Sequence, residues 1–170
     1  MGCRNSSFRD GLVVALGFVS AFLVFPVSPA AAQLTWTGST NNNWSLASGD
    51  ANWTAPGYFS DGNSVTFGNS GANTNINIVS TVQPGSVTFN NSSVPYSFSG
   101  AAISGTASVT LSTSAGNVTF NSPNSYTGGT LVNGGTLTAA NDAALGSGTV
   151  SVGAAGTLNF TSATPTVNGL

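Results

Sequence analysis

The sequence predicts an all-β fold built as a solenoid of short stacked strands, and three observations carry that prediction. After residue 32 the apolar residues alternate with a period of two, with no helical periodicity. β-Branched and aromatic residues are spread throughout and punctuated by Gly, Asn and Ser, a composition that fits pleated, half-buried surfaces broken by turns. Finally, Gly-Gly-Thr-Leu occurs at Gly128–Leu131 and again at Gly134–Leu137, with looser copies at Gly148–Val150 and Gly156–Leu158.

Residues 1–32 are set apart from the fold. Arg4 and Arg9 precede an apolar run from Leu12 to Phe25, and Ala30-Ala31-Ala32 offers a small-residue cleavage site before Gln33. That three-part plan predicts a secretory signal peptide and export. The apolar run is too short for a transmembrane anchor, given a hydrocarbon core roughly 30 Å thick.

The 138 residues that follow carry no Lys, Arg, Glu, His or Cys, and only Asp50, Asp61 and Asp142 are charged. A chain with no cations cannot neutralise phosphates, so nucleic acid and anionic membranes are excluded as partners. Without cysteine, an exported chain is held by packing and hydrogen bonds alone.

Along the chain, residues 33–100 are expected to form a Trp-rich N-terminal cap and the first, irregular rungs. Residues 101–170 should add further rungs. Alternating pairs mark the strands: Val65/Phe67, Ile76/Ile78, Val87/Phe89, Tyr96/Phe98, Val109/Leu111 and Val118/Phe120. Each strand buries two or three apolar side chains, too few to stand alone. Thr130 and Thr149 lie 19 apart and Thr136 and Thr157 lie 21 apart, a spacing that suits one solenoid turn. Val-Thr-Phe recurs at Val65, Val87 and Val118, with spacings of 22 and 31; the longer one reads as a rung with an insertion. In the last segment Val118, Phe120, Val132, Leu137, Val150, Val152, Leu158 and Phe160 are expected to point inward. A β-sandwich or jelly roll, which also uses short alternating strands, is the alternative fold.

Residues 124–160 resemble the autotransporter-associated β-strand repeat of bacterial passenger domains. The likeness rests on Asn124–Thr130, Asn133–Leu137, Ala144–Val150 and Gly156–Leu158 in order. Leu131 and Ala139-Ala140 depart from the repeat. The resemblance implies a right-handed parallel β-helix on a secreted or surface-displayed passenger. Residues 34–67, with Trp36, Trp44, Trp53, Asp61 and Phe67, resemble the tryptophan-rich opening of such passengers.

No catalytic constellation is expected. Asp50 and Asp61 lie eleven apart in Gly/Ser turns and read as turn caps rather than a carboxylate pair. The many hydroxyls have no His, Lys, Glu or Cys to activate them. Metal and cofactor sites are not expected either, since no calcium loop is present. Trp36, Trp44, Trp53 and Tyr58 read foremost as a hydrophobic cap, with a sugar-stacking platform as the alternative. The Asn-x-Ser/Thr triplets at Asn43, Asn52 and Asn117 would matter only in a eukaryotic secretory route.

The expected function is a non-enzymatic, surface-displayed scaffold for adhesion or matrix formation, with an extracellular glycan or surface protein as partner. It is expected to be the start of a longer passenger, marginally stable alone and prone to stacking onto further rungs. A carbohydrate-binding module, or the N-terminal part of a β-helix polysaccharide-degrading enzyme, stands as the alternative.

Overall fold

Ten strands and no helix make up the described part of the molecule, residues 31–169 of a computed structural model. The expected signal peptide, apart from Ala31 and Ala32, lies outside the described residues. The strands are β1 Gln33–Thr35, β2 Asn43–Trp44, β3 Ser64–Phe67, β4 Asn75–Ile78, β5 Ser86–Phe89, β6 Tyr96–Gly100, β7 Ser108–Leu111, β8 Asn117–Phe120, β9 Thr130–Ala139 and β10 Val150–Phe160.

Odd- and even-numbered strands from β1 to β8 form two columns, β9 and β10 each span both, and every strand-to-strand pairing is parallel. On the first side β1, β3, β5, β7 and the start of β9 lie in order; on the second, β2, β4, β6, β8 and the end of β9 do so. The chain therefore coils. Parallel neighbours cannot be joined by a tight hairpin, and each connection here runs around the opposite side before returning. Four regular coils run from β3 to β9, with β1/β2 beneath them and β10 above. The architecture is a β-solenoid, and its parallel pairing rules out the sandwich, whose sheets are antiparallel.

Register explains the recurring triplets. Ser64, Ser86 and Ser108 are partners at steps of 22 residues, as are Val65, Val87 and Val109. The expectation that Val118 follows Val87 after an insertion is corrected here. Val118 belongs to β8 on the second side, paired with Tyr96 and Leu137, and Val87 is followed by Val109. A spacing of 31 adds one coil to the shorter step between the two sides of the next.

The Gly-Gly-Thr-Leu phrases are likewise the two sides of one coil. β9 carries the first on its first side and the second beyond a bend, where Gly135 takes φ +68°, a conformation open chiefly to glycine. Thr136 pairs with Thr157 as the spacing suggests, but Thr130 pairs with Val150, not Thr149. The reason is parity: Thr130 is buried, its hydroxyl 2.7 Å from that of Tyr126, so its upper neighbour must also face inward. Thr149 faces out. A one-residue bulge between Val152 and Ala155 then restores register on the second side.

The core is a column of side chains between the two sides. Leu34, Val65, Val87, Val109 and Val150 line one wall; Ile76, Phe98, Phe120 and Ala139 line the other, all buried. Stacking is direct, with the Phe67 and Phe89 rings 5.3 Å apart and 20° from parallel. A third, irregular side closes the coil through Val82 and Ile103. There Asn124 accepts from the Ile103 amide and donates to the Ala144 carbonyl, joining three coils through one buried amide. Of the expected inward residues, Val118, Phe120, Val132, Leu137 and Val150 are buried. Val152 and Phe160 are not: they align with Val132 and Ala139 but are 40% and 36% exposed, and Leu158 is only partly covered. They belong to β10, which pairs only with β9, so no described coil lies above them.

Candidate functional site

The aromatic cluster singled out in the sequence forms the floor of the solenoid. Trp36 follows β1, Trp44 ends β2, and the chain then turns back so that Trp53 bridges Trp36 and the Thr54 amide donates to the Thr35 carbonyl. The three indoles are buried, Trp53 at 4% exposure and the other two at none. Their faces are taken by one another and by phenylalanines. Trp36 meets Trp53 edge-on at 5.0 Å, Trp44 meets Trp53 at 5.5 Å and Phe59 at 5.4 Å, and Phe67 lies within 5.8 Å of all three. Such edge-to-face contacts suit aromatic quadrupoles. A sugar ring needs an open indole face, and Trp36, Trp44 and Trp53 offer none; Tyr58 alone of the four is exposed.

Around this floor lies a polar network that sequence reasoning missed. Buried Asn52 accepts from the amides of Thr40 and Asn41 and donates to the Asn41 side chain and the Asn43 carbonyl. Asp50 accepts from Ser45 at 2.5 Å, Asn41 at 2.7 Å and Asn43 at 3.4 Å. The Ser45 hydroxyl, then the Asn41 amide, lower the Asp50 carboxyl below its usual range, because donors stabilise the charged form. The run Asn41-Asn42-Asn43 before a tryptophan was the available signal.

The three aspartates do not converge. Asp61 accepts from the Gln83 amide, and Asp142 from the amide and hydroxyl of Thr164, in each case 22 residues on and one coil higher. These carboxylates thus cap backbone between coils, which for Asp61 is a longer reach than the local turn cap expected. The Thr164 hydroxyl is the main influence that lowers Asp142. Asp50 and Asp61 share no hydrogen-bond partner. Among the described residues no group of three or more His, Cys, Asp or Glu side chains is placed to hold a metal. Burial raises the Tyr126 hydroxyl well above its ordinary value and raises Tyr96 more mildly; both are core phenols, bonded to Thr130 and to the Gly68 carbonyl.

The outward positions of the first side form two ranks. Ser64, Ser86 and Ser108 stand in line, and Thr35, Thr66, Thr88 and Thr110 stand beside them. Above these ranks the line breaks at Gly128 and Gly129, where a cleft of about 240 Å³ opens between the coils. No family model, curated protein or solved structure matches the chain.

Proposed function

We propose that this chain is a non-enzymatic exported scaffold, an autotransporter-type passenger β-helix that displays its surface outside the cell for adhesion or matrix formation. The observation that carries the proposal is the coincidence of repeat and coil. Gly134–Leu137 lies one coil below Ala155–Leu158 in one-to-one register, so the phrase resembling the passenger repeat is the structural unit that stacks. A unit of this kind extends by repetition, each coil covering the apolar face of the one before, which suits a long, uncharged stalk. The apolar leader ahead of Gln33 supports export. Expression of the full chain in a Gram-negative host tests the reading. We expect a mature N-terminus at Gln33 and recovery of the protein outside the cytosol, in the periplasmic or extracellular fraction. Material that keeps Met1 and stays in the cytosol refutes it.

A further inference from the structure

The cleft on the first side has a composition that specifies a ligand class. Its lower wall is Ser108 and Thr110 of β7, its upper wall Thr149 and Ser151, and its flank Leu131, which is 37% exposed. The floor is bare because the backbone demands glycine there. Gly129 has φ +88°, and a Cβ on Gly128 would lie 2.5 Å from the carbonyl oxygens of both Thr106 and Ala107. Neither glycine position can carry a side chain, which leaves Leu131 as the one large side chain of that level beside the opening. The four hydroxyls make no hydrogen bond among the described residues, unlike Thr66, which accepts from Gln33, or Thr130, which is bonded to Tyr126.

We infer that this cleft binds a neutral glycan. Charge complementarity selects the class: the chain beyond residue 32 has no cation to pair with a phosphate or uronate, and none of the three aspartates lines the cleft to hold a cation. Free hydroxyls both donate and accept, matching sugar hydroxyls, while Leu131 offers an apolar wall to the C–H face of a ring. The volume is below the roughly 300–1,000 Å³ typical of drug-sized ligands and suits a single ring. Below the cleft, Ser86/Thr88 and Ser64/Thr66 repeat the hydroxyl pair coil by coil at about 4.8 Å. An extended glycan running down the solenoid would meet one pair per coil. This inference does not depend on where the chain is displayed, because binding is read on the purified protein.

Native affinity electrophoresis of the purified chain tests it, in gels containing hydroxyethylcellulose, laminarin or galactomannan, with polygalacturonate as the acidic comparison. The expected result is retardation by at least one neutral polymer and none by polygalacturonate. The double variant Thr110→Val/Ser151→Ala should weaken that retardation at least about fivefold, as the loss of two hydrogen-bonding groups implies. Ser108→Ala gives an independent reading from the same wall and should also weaken it. Thr119→Val, on β8 of the second side, should leave it unchanged, and circular dichroism checks that each variant is folded. Migration unaffected by all three neutral polymers, retardation by polygalacturonate alone, or equal losses in Thr119→Val and the cleft variants would each overturn the assignment.

Discussion

Replacing Phe67 with Ala would strike the point where the aromatic floor joins the regular coils. Phe67 is fully buried at the end of β3. Its ring lies 5.0 Å from Phe98, 5.3 Å from Phe89 and from Tyr96, and 5.6 Å from Trp44 and from Trp53. A buried aromatic removes roughly 150 Å² or more from water, and at about 25 cal/mol/Å² this is worth about 4 kcal/mol. That agrees with the roughly 3–5 kcal/mol usual for Phe→Ala in cores. We expect a loss near the upper end, because the neighbouring rings are large, held by their own coils, and unable to collapse into the space. Phe160→Ala is the internal comparison. Phe160 occupies an aligned inward position on β10 but is 36% exposed, so the same bookkeeping gives a smaller cost for its truncation, about 2 kcal/mol. Urea unfolding followed by tryptophan fluorescence and by far-UV circular dichroism gives both values. Equal losses in the two variants, or a cost below about 1.5 kcal/mol for Phe67→Ala, would refute the view that the floor and the coils share one core.

Three further outcomes follow from the same geometry. Val150→Asp places an unpaired carboxylate at a buried position and should cost several kcal/mol, whereas Ser151→Asp on the exposed side should cost little; urea midpoints separate them. Gly156→Ala would set a Cβ against the Val132 carbonyl, while at Gly49 it meets nothing within 4 Å. The first should therefore lower the thermal midpoint, and the second should leave it unchanged or slightly raised. The folded-state pKa of Asp50 is depressed, so its contribution is present above the unfolded carboxylate value, about 3.9, and is lost as pH falls through the lower folded value. Comparing acid titrations of wild type and Asp50→Asn by tryptophan fluorescence should show that part of the transition missing in the variant.

The sequence by itself determined the fold class and the direction of most side chains. Parity within a strand is local: Val65 and Phe67, or Tyr96 and Phe98, must share a face because the backbone alternates every residue, and all four are buried. The in-register partners Thr136 and Thr157 also announced a coil of about 20 residues. What only the tertiary structure decided is where each strand sits around the coil. Val-Thr-Phe at Val87 and Val118 look alike because a buried strand on either side needs the same three residues, yet one side pairs with β7 and the other with β6. Letter identity likewise matched Thr130 to Thr149, when the burial of Thr130 against Tyr126 required Val150 above it. The cap network of Asp50 and Asn52, the enclosure of the three tryptophans and the cleft over Gly129 share that origin. Most of their contacts join residues that the coil brings together from 9 to 43 positions apart, a matter of closure and register that no short-range pattern encodes.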